Sequence, residues 1–404
     1  MFDVIVIGAR CAGSPLAMLL ARKGHRVLVV DKARFPSDTV STHVIWQGGL
    51  ARAKRWGLLD RIAGLGAPPI RTVRLSVGDV AFAGTPPPLD GIDYFIAPRR
   101  MVLDKMLVDA AREAGAEIRE GCYVDEIVSE NGRVTGISGR ALNGEGFEEK
   151  ARVVVGADGA HSMLAHSVKA EKYNTRPAAS GGYYSYWSGG PAVTDFEIYF
   201  GDGWGGALFP TNGGVTCVVG SWVESFAGPN GEPEVGYRRF MEAVPRIAEF
   251  LKSGRQVEPL AGMRELPGYF RNSWGDGWAL AGDAGYHKHP LSAQGISDAF
   301  RDADFLSEAI DDGLAGRREL GDALAGYQQR RDQAVMPMYE STCMRATLAL
   351  PPPEAMGLFR ALQGNQLEAD RFFGTDAGTV PMTDFFTPDN LYRIVRESSH
   401  VGQP

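Results

Sequence analysis

The hydrophobic pattern of the first thirty-one residues predicts a strand, a helix and a second strand, joined by short connections. Asp3–Ile7 is an almost continuous apolar run, as expected of a strand that is buried on both faces. A glycine-containing turn follows, then an apolar helix that ends near Lys23, and Arg26–Asp31 repeats the buried-strand pattern. This order is typical of the βαβ unit that opens a dinucleotide-binding fold.

The turn between the first strand and the helix carries glycine at its two structurally demanding positions. Gly8 permits the tight turn, and Gly13 allows the helix to pack closely against the strand. The backbone N–H groups of Cys11, Ala12 and Gly13 lie at the helix start, where the helix dipole favours a bound anion. The sequence therefore predicts that these groups hold the pyrophosphate of a dinucleotide.

Two positions refine this prediction. Arg10 replaces the middle glycine of the G-x-G-x-x-G pattern, and we favour a contact with the cofactor over the alternative of a solvent-facing side chain. Asp31, at the end of the second strand, suits a ribose 2′-hydroxyl and would repel a 2′-phosphate. We assign the adjacent Lys32 to the same cofactor site.

The later chain alternates between buried strands, helices and a region of different character. Short aromatic and β-branched runs between about residues 177 and 270 predict an antiparallel sheet. The predicted fold is α/β (α+β), a Rossmann-like domain with an inserted antiparallel-sheet substrate domain and a helical C-terminal region. The predicted divisions are 1–75, 98–176 and 271–345 for the dinucleotide-binding domain, 76–97 and 177–270 for the substrate domain, and 346–404 for the helical tail.

Composition narrows the classes of function. The net charge of −7 and the lack of any basic run argue against binding to nucleic acid or to an anionic membrane. No apolar run approaches the length of a membrane span, and the chain starts directly in the first strand, so we expect a cytoplasmic protein without a signal peptide. The four cysteines are dispersed, and we expect neither a disulfide framework nor a metal site.

Two further segments identify the cofactor. Gly156–Ser162 (GADGAHS) follows a buried strand, and Gly282–Ile296 (GDAGYHKHPLSAQGI) precedes a helix. Together with the N-terminal turn, in this order, they resemble the three fingerprints of the flavoprotein aromatic hydroxylases, the FAD-dependent monooxygenase family typified by para-hydroxybenzoate hydroxylase. The resemblance implies that the dinucleotide is FAD.

The resemblance also implies a set of FAD contacts. Asp283, with Gly282, would accept a bond from the ribityl chain, and backbone N–H groups near Gly295 and Ile296 would face the flavin N1 and C2 carbonyl. The remaining implied positions are Asp158 near the pyrophosphate groove, Arg100 against the FAD and Val124 beside adenine. Taken singly, these residues also suit ordinary roles as a turn aspartate, a helix cap, a surface arginine and a strand residue.

The resemblance implies hydroxylation of an apolar, aromatic or polycyclic small molecule by oxygen, through a C4a-hydroperoxyflavin. No second glycine-rich βαβ unit is present, so NAD(P)H would be a transient co-substrate, or a separate flavin reductase would supply the electrons. A halogenase is disfavoured because the W-x-W-x-I-P segment is missing and Trp204 is out of register. Two alternatives stay open: a geranylgeranyl reductase-like enzyme that reduces an isoprenoid double bond, and a flavin-binding protein without turnover.

Candidates for catalysis and substrate binding come from the loop and strand positions. His43, on the loop after the first βαβ unit, is a candidate base or orienting group, although a structural histidine bonded to a loop carbonyl is an equal alternative. The candidate substrate-pocket residues are Tyr184, Tyr186, Trp187, Phe209, Pro210, His289 and Pro290.

Overall fold

The computed structural model describes residues 1–228 and 231–401; positions 229–230 of the predicted substrate domain and 402–404 of the predicted tail lie outside the described residues. The strands are β1 Phe2–Ile7, β2 Val27–Asp31, β3 Val73–Val77, β4 Val80–Gly84, β5 Glu117–Glu120, β6 Cys122–Glu130, β7 Arg133–Ala141, β8 Gly146–Gly156, β9 Lys172–Arg176, β10 Gly181–Ser188, β11 Phe196–Gly201, β12 Trp204–Pro210, β13 Thr216–Trp222, β14 Arg255–Gln256, β15 Ala261–Met263, β16 Gly268–Arg271, β17 Trp274–Gly275, β18 Trp278–Leu280 and β19 Tyr286–His287. The helices are α1 Gly13–Arg22, α2 Gln47–Arg55, α3 Leu59–Ala63, α4 Arg100–Glu113, α5 Met163–Ser167, α6 Pro233–Ala243, α7 Pro245–Ser253, α8 Gly295–Leu314, α9 Leu320–Arg345, α10 Pro353–Gln363, α11 Gln366–Ala377, α12 Met382–Phe385 and α13 Pro388–Val401.

The first sheet has the strand order β17-β18-β8-β1-β2-β5 and is parallel around β1. Val4 and Val6 face a core that includes residues of α1, α4 and α8, whereas Ile5 and Ile7 face a second core that includes residues of β6 and β7. Because both faces are covered, the strand is apolar without alternation. This arrangement explains the continuous hydrophobic run in the sequence.

The turn from β1 to α1 depends on two glycines. Gly8 has φ +102°, and a Cβ added at Gly13 would lie 1.8 Å from the carbonyl oxygen of Gly8. The helix therefore begins in direct contact with the strand end, and no side chain fits between them. One edge of the sheet consequently brings together the carboxyl ends of β1, β8 and β18 and the first turn of α1.

The second sheet has the strand order β14-β10-β13-β12-β11-β3-β4, antiparallel except where β11 runs parallel to β3. Its two faces bury different cores, one against α10, α11 and the loop before α2, the other against α6 and α7. The predicted boundary at residue 75 falls inside β3, all of which pairs in this sheet. The predicted fold class, including the helical C-terminal region, is confirmed, and the exact division into domains stays a prediction.

Within residues 1–228 and 231–401, no helix has both the length and the apolar character that crossing a membrane requires.

We predict that Gly13→Ala destabilises the protein by about 1–3 kcal/mol, because the added methyl group has to displace backbone. Gly357→Ala in α10 is the control, since a Cβ there meets nothing within 4 Å and alanine favours helix by up to about 1 kcal/mol. Urea unfolding of both variants gives the comparison. Equal stability of the two variants would contradict the close contact at Gly13.

Candidate active site

A cavity of about 840 Å³ lies between the edge of the first sheet and one face of the second. Its walls are the β1–α1 turn, residues 38–42 of the loop after β2, the start of α4, the segment after β8, the second sheet and the loop that leads into α8. The structure brings most of the residues predicted for cofactor and substrate to this cavity. These are Gly8, Arg10, Cys11, Ala12, Asp31, Lys32, Arg100, Val124, Asp158, Gly282, Asp283, Gly295, Ile296, Tyr184, Phe209, His289 and Pro290.

Five predicted site residues do not line the cavity. Gly13 lies beneath Gly8, and Pro210 ends β12 opposite Thr216. Trp187 lies on the opposite face of β10 from Tyr186, where its indole N–H donates to the Tyr237 hydroxyl at 3.1 Å. This differs from its predicted place in the substrate pocket, because successive strand residues point to opposite faces. The other two, His43 and Tyr186, are buried behind the cavity wall.

The β1–α1 turn is held by two carboxylates. Asp31 accepts the N–H of Ala9 at 2.7 Å through one oxygen and that of Ala33 at 2.7 Å through the other. Asp31 therefore fixes the turn and the next loop, in addition to facing the cavity where a ribose is predicted. The second carboxylate is Asp104 on α4, which was not among the site residues predicted from the sequence.

Arg10 also makes contacts within the protein that were not predicted from the sequence. Its guanidinium donates to Asp104 at 2.6 Å and to the hydroxyl of Ser37 at 2.9 Å, and it lies 5.3 Å from the centre of the Phe35 ring. Arg10 thus connects the turn to the loop after β2 while one side of it lines the cavity. Its contact with FAD stays a prediction.

Asp158 lines the cavity, and within the described residues only one of its carboxylate oxygens is hydrogen-bonded. One carboxylate oxygen accepts the N–H of Met163 at 2.7 Å, while the other is buried and has no partner within the described part of the chain. Burial raises the pKa of Asp158. A buried acceptor without a partner is costly, so this oxygen suits a ligand that donates a hydrogen bond.

The loop from Gly282 to Gln294 is anchored to α8 by a chain of buried charges. Lys288 pairs with Asp298, Arg301 bridges Asp298 at 2.6 Å and Asp302 at 3.0 Å, and Asp302 accepts the N–H of Gly282 at 3.0 Å. Burial raises the pKa of Asp298, but Lys288 and Arg301 outweigh it and hold that pKa below its ordinary value. The i,i+3 spacing of Asp298 and Arg301 was the available sequence signal.

Anchoring of this loop leaves the first turn of α8 open to the cavity. Gly295 and Ile296 line it, and a Cβ at Gly295 would meet nothing within 4 Å. The first N–H groups of a helix have no acceptor within the helix, and the helix dipole adds positive potential at this end. The arrangement fits an electron-rich ring edge, as the resemblance implies for the flavin.

His289 has a structural role at the cavity rim. Its Nδ1 accepts the N–H of Leu291 at 3.2 Å, so the proton lies on Nε2, which faces the Ser180 hydroxyl at 3.1 Å. Ser180 in turn donates to the Ala346 carbonyl at 2.7 Å. Burial lowers the pKa of His289 to about 4, and the ring is neutral at pH 7.

His43 lies one ring behind the cavity wall. It is fully buried with φ +62°, its Nε2 lies 2.7 Å from the Tyr186 hydroxyl, and its ring meets Tyr184 edge-on with centroids 5.5 Å apart. Burial, followed by the charge of Arg100, lowers the pKa of His43 to about 3. The neutral imidazole contacts a pocket residue, Tyr184, and does not reach the cavity itself.

The second sheet gives the cavity an apolar wall. Among the described residues, none of the cavity-lining positions on this sheet and the loop after β15 carries a formal charge. They are Gly182, Tyr183, Tyr184, Phe196, Ile198, Phe200, Gly206, Ala207, Phe209, Val219, Ser221, Met263 and Leu266. A Cβ built at Gly182 would lie 3.9 Å from the Pro290 ring, so this wall comes close to the loop that leads into α8.

The cavity therefore has one charged and one apolar end, and the residues at the charged end fit FAD. A glycine cradle, a buried arginine and an unpartnered carboxylate oxygen meet where a pyrophosphate and a ribityl chain would lie. The fold and this site define an FAD-dependent oxidoreductase. The chain belongs to the FAD binding domain family, whose model matches residues 1–342, which confirms the family and the cofactor indicated by the sequence.

Individual proteins resemble this chain over nearly its whole length. It is 27% identical to digeranylgeranylglycerophospholipid reductase 2 of Methanothermobacter thermautotrophicus, over 91% of this chain and 93% of that protein. Its fold matches the myxobacterial chondrochloren halogenase CndH with a TM-score of 0.77 and 21% identity, covering 100% and 98% of the two chains. PqsL, a probable FAD-dependent monooxygenase from Pseudomonas aeruginosa, matches with a TM-score of 0.67 and 22% identity over 92% and 98%.

We predict that His43→Gln makes the folding stability depend less on pH below about 6.5. The unfolded chain binds a proton at the ordinary histidine pKa of 6.5, whereas folded His43 binds one only near about 3. Stability is therefore lost as the pH falls from 6.5 toward that value, and removing the imidazole removes this loss. Urea unfolding at several pH values measures the slope.

His166→Gln on the exposed face of α5 is the matched control and should leave the slope close to that of the wild-type protein. An unchanged slope for His43→Gln would show that the folded imidazole takes up its proton as readily as the unfolded one.

Proposed function

We propose that this protein is an FAD-dependent monooxygenase that hydroxylates an uncharged aromatic or polycyclic small molecule. The single observation that carries the proposal is the charge-free wall opposite the loop that leads into α8. A bound FAD would supply the electrophilic oxygen chemistry, and this wall would position the substrate and exclude water.

The wall supports an uncharged substrate on energetic grounds. A carboxylate or phosphate in contact with Phe196, Ile198 and Phe209 would lose its hydration without gaining a charged partner, which costs several kcal/mol. Phe209 stacks on Phe196 with centroids 5.1 Å apart and an interplanar angle of 23°. These flat, fixed rings suit an aromatic or polycyclic ligand through offset stacking.

The reaction requires two electrons from outside the protein. One oxygen atom of O2 enters a C–H bond of the substrate and the other leaves as water, while NAD(P)H gives up a hydride and becomes NAD(P)+. A proton from solvent completes the balance. A separate flavin reductase, which would supply reduced flavin in place of a direct NAD(P)H reaction, is the other source that the sequence left open.

A second candidate is reduction of an isoprenoid double bond. The named relative, digeranylgeranylglycerophospholipid reductase 2, favours it, and the apolar wall suits a prenyl chain as well. Such a reduction needs a proton donor beside the carbon that does not receive the hydride. The protic side chains of the wall within the described residues are Tyr183, Tyr184 and Ser221, and burial raises the pKa of Tyr184 to about 12. The raised pKa makes the Tyr184 hydroxyl a weaker proton donor, which counts against double-bond reduction at this wall.

The test compares aerobic and anaerobic turnover. A monooxygenase oxidises NADH or NADPH faster when a neutral phenol, quinol or indole is present, takes up oxygen in equal amount and forms a product heavier by one oxygen atom. Anaerobic reduction of a geranylgeranyl lipid, with no substrate-stimulated oxygen uptake, would replace the proposal by the second candidate. Failure of both reactions, with NAD(P)H or with a flavin reductase, would favour a binding protein without turnover.

We predict that kcat/KM for a neutral aromatic substrate exceeds that for its carboxylated analogue by about 100-fold or more, because the wall offers the carboxylate no partner. Ile198→Lys should narrow this ratio by providing a cation at the wall. Val235→Lys, on an exposed position of α6, is the control and should leave the ratio unchanged. A wild-type preference for the carboxylated analogue would contradict the proposed substrate class.

A further inference from the structure

Asp104 is fully buried and contacts three side chains at the cofactor end of the cavity. It accepts hydrogen bonds from Nε of Arg100 at 2.9 Å and from Nη1 of Arg10 at 2.6 Å. The Cys11 thiol lies 3.3 Å from the oxygen that Arg100 contacts. Asp104 itself does not line the cavity, so its influence on a ligand has to pass through these neighbours.

The way in which Asp104 holds Arg100 leaves the useful part of the guanidinium free. Only Nε of Arg100 is bonded to the carboxylate, and neither Nη1 nor Nη2 has a hydrogen-bond partner among the described residues. The Arg100 side chain is 11% exposed and lines the cavity. The two free nitrogens form the fork that binds a phosphate in bidentate fashion.

The charges of the cluster agree with this geometry. Arg10 and Arg100 share the carboxylate of Asp104, so these three side chains carry one excess positive charge beside the β1–α1 turn. The negative charge of Asp283 also acts on Arg100, although no hydrogen bond joins the two among the described residues. A buried guanidinium that is only partly compensated favours an anionic ligand. The FAD pyrophosphate, predicted at the N–H groups of this turn, supplies that charge.

We propose that Asp104 is a positioning residue, which orients the Arg100 guanidinium toward the FAD pyrophosphate. It acts through Arg100 and does not touch the cofactor. The opposite role, simple neutralisation of the two arginines, makes the opposite prediction, since removing the negative charge would then strengthen the binding of an anion.

Asp104→Asn tests the proposal because asparagine keeps the shape and loses the charged acceptor. Apoprotein is titrated with FAD and with riboflavin, which lacks the pyrophosphate, and binding is followed by quenching of flavin fluorescence. We expect the Kd for FAD to rise about tenfold or more and the Kd for riboflavin to change by less than about twofold. An unchanged or lower Kd for FAD, or an equal loss for both ligands, would overturn the positioning role.

Asp304→Asn is the matched control. Asp304 also accepts three side-chain donors, from Arg52, Arg55 and Trp56, but it lies on α8 away from the cavity. This variant should leave the ratio of the two dissociation constants unchanged. A change equal to that of Asp104→Asn would mean that loss of any carboxylate with several side-chain donors weakens FAD binding, and it would overturn the proposal.

Two Arg100 variants test the same role of Asp104 even if Asp104→Asn folds poorly. Arg100→Lys retains the charge but cannot bond Asp104 and still present two free nitrogens, so it should weaken FAD and spare riboflavin. In an Arg100→Met background, Asp104→Asn should add little further loss of FAD affinity. Wild-type FAD affinity in Arg100→Lys, or a full additional loss in the double variant, would contradict action through Arg100.

Discussion

Buried carboxylate–cation pairs hold the two loops between which the cofactor end of the cavity lies. Asp104 fixes Arg100 and Arg10 beside the β1–α1 turn. In the other loop, Asp302 accepts the N–H of Gly282, and Arg301 bridges Asp302 to Asp298. Such pairs lose much of their attraction to desolvation, and breaking one partner leaves an uncompensated buried charge. Their consequence here is geometric, since they present Arg100 and the start of α8 to the cavity in fixed orientations.

The division of the cavity into a charged end and an apolar end follows from the two sheets that form it. The first sheet ends in a glycine turn and helix N-termini, where an anion is favourable, whereas the second sheet contributes strand faces of aromatic and aliphatic residues. FAD spans such a boundary naturally, because its pyrophosphate is charged and its ring system is flat and mostly apolar. The same division supports an uncharged substrate, which would meet the flavin ring on the apolar side.

Local patterns in the sequence were sufficient for the first βαβ unit, because its turn and its elements depend on neighbours within a few residues. The family resemblance supplied the three cofactor segments. The partners of Asp104 and Asp302 could not be predicted in the same way, since Arg10 and Gly282 are far from them in the chain. The i,i+4 spacing of Arg100 and Asp104 was the one local sign of that cluster. Side-chain direction on β10 was the other limit, because alternation alone does not say which face meets the cavity. The place of His43 behind Tyr184 likewise depends on tertiary packing that no local pattern shows.

On our proposal, one cavity holds the FAD pyrophosphate at Arg100 and the flavin ring between the start of α8 and the apolar wall. A crystal structure of the protein with FAD bound is the decisive test. We expect phosphate oxygens within hydrogen-bond distance of both free nitrogens of Arg100, and one face of the flavin ring turned toward Phe209 and Phe196. A pyrophosphate bound away from Arg100, or a flavin ring turned away from the second sheet, would contradict it.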